Sequence, residues 1–494
     1  MKKRMEEQGV TLLVLVITII VLLILAGVTI SAITGDDGTI VNASKAKFRT
    51  EIRDIEEKIE LEEINHNNGE EFQFGTLKDL IGREDEYNEI LYMEDGKLVY
   101  LEDKVSDKQA QWLEEMGIKA KQNIIPIYTG DQFKKIGTGE EIQIEEAGGE
   151  VYQFNMDSHY VLQNDIDLNC SEENQWVPIG GEGASSASNP FKGILDGKNY
   201  RIKGIYINSE EQYKALFNYN SGIIQNVILD DGDINATHFV AGIAAVNNGS
   251  GQIINCVNKI EINASYITGG IVARNSGLIE DCKNMAYLVL ESASGGICGE
   301  NQRGGIVRRC FNENEMLLKD WGLGGIVGSN YGIVEKCYNL GNILASTSYA
   351  RSAKGGITGS NYGTIKKCYN LATVTGNSSN WNVGGITGSN EESGIIEFSY
   401  NTGKIIGNTN VGGIGGNNIG RIRYCYTINT NEITGTNTGT LDKCMQLSEK
   451  QMKNQENITL EDGSITSFLV LLNKEGEGFI EDTKNDNKGY PILK

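Results

Sequence analysis

The chain has 494 residues, too many for one ordinary core, so several domains or a repeat array are expected. Acidic residues outnumber basic ones by 66 to 44, and the resulting formal charge of −22 is the wrong sign for a nucleic-acid partner. Sixty-one Gly against four Pro argues against a disordered linker composition, and nine Cys without a CxxC argue against a zinc ribbon or a thioredoxin-type site.

Residues 10–33 carry no charge. A helix of that length, at ~1.5 Å per residue, crosses a hydrocarbon core of ~30 Å. Lys2, Lys3 and Arg4 precede it, which sets the N-terminus in the cytoplasm and the rest of the chain outside. The expectation is a single-pass membrane anchor with an extracellular C-terminal region. An ordinary signal anchor satisfies these facts. The junction KKRMEEQG/VTLLVLVITII, between Gly9 and Val10, also resembles the prepilin-type leader of type IV pilins and pseudopilins. That resemblance implies a prepilin peptidase as a partner, a methylated N-terminus at Val10 and a place in a pilus. The sequence departs from it at the fifth mature position, where pilins usually carry Glu and this chain has Val14. The departure is shared with pilin-like surface proteins of Gram-positive anaerobes and bears against standard fibre assembly.

Residues 34–66 read as a helical stalk, because Phe48, Ile52, Ile55 and Ile59 fall at 4-3-4 spacing on a charged segment. Residues 67–125 read as a small α/β unit. TLKDLIG suggests a short helix, EILYMEDGKLVYLE a hairpin around Asp95-Gly96, and DKQAQWLEEMGI a helix ending at Gly117.

From residue 126 short β runs ended by Gly, Asn or Asp take over. A stretch such as GGIVGSNYGIVEKCYN then recurs. The second glycine of each unit is Gly242, Gly270, Gly296, Gly325, Gly356, Gly385 and Gly413, at steps of 28, 26, 29, 31, 29 and 28. Such a period signals a solenoid. Each unit reads as three short pieces, none of helical length, so the expected fold is mainly β: a parallel β-helix over 126–445, a rod on the order of 50 Å long at ~4.8 Å per coil. One apolar column is Ile243, Ile271, Ile297, Ile326, Ile357, Ile386 and Ile414. Another is Ile253, Ile279, Val307, Val334, Ile365, Ile396, Ile422 and Leu441. Asn330, Asn361 and Asn390 are expected to stack through their amides.

Cys256, Cys282, Cys310, Cys337, Cys368, Cys425 and Cys444 form a further column, with Ser399 standing in once. Metal binding or disulfides are the functional readings. Ser399 favours a structural ladder of buried thiols, since a paired framework would not tolerate it. Phe311, Tyr338, Tyr369, Tyr400 and Tyr426 follow these positions. The odd step between the aliphatic and Cys columns demands a corner or bulge, and pattern alone leaves open whether Cys or Tyr faces inward. Residues 446–494 abandon the repeat and are expected to cap the last coil, because a bare solenoid end exposes unpaired strand edges.

These repeats match the GLUG motif of bacterial surface proteins. The segment before them resembles the lead-in of that family, carried by Asp165, Asp167, Trp176, Pro178, Gly180, Pro190, Phe191, Gly193, Asp196 and Gly197. The final NKGYPIL resembles the family's closing segment. The resemblance implies a β-helical adhesin.

No catalytic constellation stands out. None of His66, His159 and His238 lies in HExxH, so the metallopeptidase activity of some GLUG-bearing IgA-cleaving proteins does not carry over. Asp165 and Asp167 read as turn-closing residues. Asp230, Asp231 and Asp233 read as solvated loop acids, with weak calcium binding as the sharper alternative. No cofactor or metal is expected. The candidate ligand-contact edge is His238, Tyr266, Trp321 and Trp381, four residues before the marked glycines, where exposed rings would stack on a glycan or a host or cell-surface protein. The same positions would otherwise shield the incoming strand. The sequence thus points to a non-enzymatic, membrane-anchored surface protein. A minor pilin carrying the rod and a polysaccharide-active β-helix enzyme are the alternatives.

Overall fold

The computed structural model describes residues 39–65, 91–94, 97–100, 105–120, 124–181, 187–318, 322–345, 353–376, 382–428, 432–476 and 478–494. The chain divides into two units, Met1–Asn123 and Ile124–Lys494.

In the first unit, helix α1 (Thr39–Asn65) carries the expected stripe. Strands β1 (Leu91–Glu94) and β2 (Lys97–Tyr100) form an antiparallel hairpin, and β3 (Lys119–Ala120) joins β2 in parallel. Helix α2 (Asp107–Glu115) starts at a Ser106–Gln109 capping box. The expected stalk is not free-standing. Phe48, Ile52 and Ile55 are buried in one cluster with Leu91, Tyr100, Leu113 and Ile118. The stripe was too short for a coiled coil and finds its partner in the hairpin and α2. Lys45 and Arg49 of α1 close on Glu115 at 2.7 and 2.6 Å, and the Lys45 hydrogen bond holds that carboxyl below its usual range. The expected helix TLKDLIG and residues 10–33 lie outside the described residues. Among the described residues no helix is long and apolar enough to cross a membrane.

The second unit is a succession of short strands wound into a parallel β-solenoid. Each coil adds one strand to each of four sheets. Sheet I runs from Phe217–Asn220 to Thr434–Asn437 and sheet II from Ile124–Ile127 to Thr440–Asp442. Sheet III runs from Ile166–Asp167 to Met445–Leu447, and sheet IV starts at Ile205–Asn208. The sequence pattern suggested three pieces per coil; there are four because the run GIVEKCYN breaks into Ile333–Glu335 and Tyr338–Asn339. The break is the corner that the odd step required. At it Asn226, Asn255, Asp281, Arg309, Lys336, Lys367, Phe398, Tyr424 and Lys443 all adopt left-handed backbone, with φ of 48–55°. Reversing the chain there lets Val334 and Cys337 both point inward.

The predicted columns are in register. Ile253, Ile279, Val307, Val334, Ile365, Ile396 and Ile422 pair in sequence and are fully buried. So is the Ile243-to-Ile414 column. Each such side chain contributes roughly 1.5–3 kcal/mol. Asn330, Asn361 and Asn390 belong to a longer ladder from Asn220 to Asn437, each Nδ2 donating to the next Oδ1 at 2.8–2.9 Å. A second ladder, from Asn258 to Asn401, is equally buried and has steps of 2.8–3.0 Å.

The N-terminal end of the solenoid is sealed. Helix α3 (Gly130–Phe133) and the hairpin of Glu141–Ile144 and Glu150–Gln153 bring Phe133, Ile144 and Phe154 onto the core. Among the described residues nothing covers the C-terminal end, and here the expected cap is corrected. Thr434–Asn437 and Thr440–Asp442 remain largely exposed, and Leu441, the last member of its column, is 39% exposed. Residues 446–494 fold back along the outer side of sheet III. Phe468, Leu472, Phe479 and Tyr490 form a separate cluster with Tyr369, Tyr400 and Tyr426. The physical reason is the aromatic column itself. Its rings stack outward at 4.7–5.1 Å, an apolar strip that water would otherwise meet. Phe468 meets Tyr400 and Tyr426 edge-on at 5.4 and 5.3 Å, and Asn487 donates to the Tyr400 hydroxyl at 3.0 Å. The question the pattern left open is therefore answered: Cys faces the core and Tyr faces the C-terminal segment.

Candidate functional site

Sheet IV positions the candidate contact edge. In the first coils its strands are long, Gly232–Ala241 and Glu261–Gly269, and they place His238 beside Tyr266 and Tyr266 beside Ser292. The two rings lie 5.2 Å apart with 40° between their planes, and Tyr266 is 45% exposed. The next residues, Phe239, Ile267 and Ala293, have left-handed backbone, so the column stands at a corner. In later coils the strand is split, as in Met316–Leu318 and Leu323–Gly324, or Val374–Thr375 and Asn382–Gly384. Trp321 and Trp381 fall between those halves, outside the described residues. Gly9 and Val10 of the processing junction also lie outside them. The structure thus joins His238 to Tyr266 and leaves the other half of the edge undescribed.

Two aromatic groups escaped the sequence reading. Tyr331 and Tyr362 stack face to face at 4.6 Å at the corner between sheets I and II, with Tyr362 exposed. The signal was the NYG that follows the ladder asparagine in both coils. Phe239 lies between Tyr213, at 4.6 Å, and the Arg274 guanidinium, at 4.4 Å. No periodic signal marks this group, because Tyr213 precedes the array.

Of the acids singled out in the sequence, Asp165, Asp167 and Asp230 have partners. Asp167 accepts the Asn169 amide at 2.8 Å, the turn closure expected of it. Asp165 instead takes the Arg201 guanidinium at 2.6 Å; hydrogen bonds from the Arg201 backbone and side chain hold its carboxyl down at about 2. Asp230 lies between Arg201 at 3.6 Å and Lys259 at 3.8 Å. Among the described residues no group of three or more His, Cys, Asp or Glu could hold a metal ion.

The cysteine column is free thiol. Cys337 donates to the Glu335 and Val307 carbonyls at 3.3 and 3.5 Å, and Cys368 accepts from the Cys337 amide at 3.4 Å. Ser399 repeats the arrangement, donating to Glu397 at 2.9 Å and accepting from the Cys368 amide at 3.1 Å. Burial pushes the Cys256, Cys310, Cys368 and Cys425 thiols well above their usual range, away from the nucleophilic thiolate. Two results are expected. Cys337→Ser costs about 1 kcal/mol or less in denaturant unfolding, since the hydroxyl finds the same partners. An aromatic disulfide reagent reaches Cys170 and Cys444 in the native protein, and the seven buried cysteines only on unfolding.

No known family matches the chain. No curated protein matches it either. A crystal structure described as a "putative immunoglobulin A1 protease" from Bacteroides ovatus is similar to 75% of this chain and 92% of its own, at 17% identity and a TM-score of 0.39. Nothing about this chain's function is taken from it.

What the geometry supplies is a wall and its outer surfaces. The residues repeated from coil to coil, namely Ile, Cys and Asn, point into the wall or close its turns. Of the outward positions, the aromatic column repeats and is met by the C-terminal segment; the others vary, and those are available to a ligand.

Proposed function

We propose that this chain is a non-enzymatic surface protein of the GLUG-repeat type, held at a membrane by residues 10–33 and displaying its β-solenoid for adhesion or ligand binding. The observation that carries this reading is the division just described: stacking accounts for the repeated residues, while the exposed His238–Tyr266 edge varies along the solenoid. Aromatic faces offer large contact area with few rotamers to freeze, which suits sugar rings or a protein partner. Replacing Trp321 and Trp381 together by Ala is expected to weaken attachment to glycan-coated surfaces at least tenfold, about 1.4 kcal/mol, with the unfolding transition unchanged. Undiminished attachment of the double variant would remove this edge from the account.

A second reading, a minor pilin carrying the solenoid, draws on one observation. Helix α1 lays its stripe on an antiparallel hairpin instead of standing alone, as a pilin's long first helix would in its exposed half. Filaments sheared from cells and containing a chain that begins at Val10 would favour it. Protein confined to the membrane fraction would favour the anchor.

A further inference from the structure

The outer face of sheet II carries a pattern that display alone does not require. Strand register places Glu280, Arg308, Glu335, Lys366, Glu397 and Arg423 in one column, so the charge changes sign at every coil. A mostly apolar column runs beside it through Leu278, Ile306, Ile333, Thr364 and Ile395, and Ile333 is 41% exposed. Pairing within the chain is uneven. Arg308 and Arg309 both bond Glu280, which is buried, Arg423 bonds Glu397, and Lys366 lies 4.0 Å from Glu397. The Glu335 carboxylate, between Arg308 and Lys366 in the column, makes no hydrogen bond or ion pair among the described residues.

We infer that this face is a self-association surface whose partner is a second copy of the chain, docked antiparallel about a two-fold axis between the Arg308 and Glu335 strands. The alternation of sign decides the orientation. In a parallel pair related by a two-fold along the solenoid, every charge meets its own copy and repels it. In an antiparallel pair with the axis between adjacent strands, Arg308 meets Glu335 of the second copy, while Glu280, buried beneath Arg308 and Arg309, keeps the partners of its own chain. A two-fold interface must be complementary to itself, and this column is. The position of the axis follows from the C-terminal segment, where Glu475 takes Arg423 at 3.0 Å and so occupies the far end of the face. The free part then centres on Ile306 and Ile333, which meet across the axis and cover each other.

Four strands at ~4.8 Å, each three residues or about 10 Å long, give about 200 Å² per copy, a quarter of a standard interface. The contact is therefore weak and, being made of half-buried charges such as Arg308 and Lys366, salt-sensitive. Antiparallel docking is also the orientation that joins copies carried on facing surfaces. That last step alone rests on the proposed display role; the association itself does not.

The test is sedimentation equilibrium of the full chain in excess detergent. At low ionic strength the unaltered chain is expected to dimerise reversibly, and to dissociate in high salt. E335K and R308E, each folded by circular dichroism, are expected to be monomeric alone, because each puts like charges together. An equimolar mixture of the two regains the dimer, since in the mixed pair both contacts again join opposite charges. A column that served only to align the coils of one chain would give no such rescue. An unaltered chain monomeric up to about 0.5 mM, a concentration at which such an area should register, or a mixture that stays monomeric, would overturn the inference.

Discussion

Gly388→Ala is expected to cost roughly 3 kcal/mol or more, among the largest effects of any single methyl group in this chain. The reason is a close approach of two backbones. The second half of each split sheet IV strand lies against the outer side of the next sheet I strand. A Cβ on Gly388 would stand 2.3 Å from the Lys354 amide nitrogen and 2.6 Å from the Ala353 carbonyl carbon. Neither is the end of a flexible side chain, so the coil must open to accept the methyl. The same holds at Gly416, 2.4 Å from the Val383 nitrogen, and at Gly328, 2.6 Å from the Ser294 nitrogen. Ala245 and Ala273 hold the position in the earlier coils, where Phe239 and Ile267 widen the corner. Gly249→Ala is the control, since nothing lies within 4 Å of its added carbon. Denaturant unfolding and limited proteolysis should both separate the two variants. Equal stability would mean that the strands can part without cost, and the account of the backbone crossing at Gly328, Gly388 and Gly416 would fail.

Asn330→Ala is expected to cost about 3 kcal/mol, several times the effect of Asn437→Ala. Asn330 is fully buried and works in both directions. Its Nδ2 donates to Asn361 at 2.9 Å and its Oδ1 accepts from Asn301 at 2.9 Å and from the Gly332 amide at 3.2 Å. Truncation leaves the Gly332 amide and the Asn361 oxygen without these partners inside the wall. Asn437 ends the ladder in an exposed strand, where water replaces what is lost. Asn330→Asp should be at least as damaging as the truncation, because a carboxylate cannot donate to Asn361 and carries a buried charge. A harmless Asn330→Asp in thermal unfolding would show that shape matters there and amide bonding does not.

The fold was legible because a solenoid writes its register into its sequence. When coils stack one on another, residues separated by one period become neighbours. A column read from the text at Ile253, Ile279 and Val307 is then a column in space. The Cys column, the stacked Asn and the double glycine were visible for the same reason. The alternation at Glu280, Arg308 and Glu335 did not stand out, because its meaning lies in a face and not in a motif.

Other features depend on contacts between segments with no common period. Asn at the corner between sheets II and III suits left-handed backbone in the first coils. Lys336, Phe398 and Tyr424 give no such sign, and the corner is imposed on them by the coil below. The direction of the tyrosines was undecidable from alternation, because that corner resets it. The C-terminal segment contained enough apolar residues to cover either the end or the flank. The exposed strip of stacked rings decides for the flank, and the last strands are left open. The sequence by itself determined the repeat, the identity of the wall and the residues that line it, since those follow from stacking at fixed spacing. Only the tertiary structure decided where the aromatic column is covered, which glycine marks a backbone crossing and which outward residues share a face, because each depends on how the corners turn.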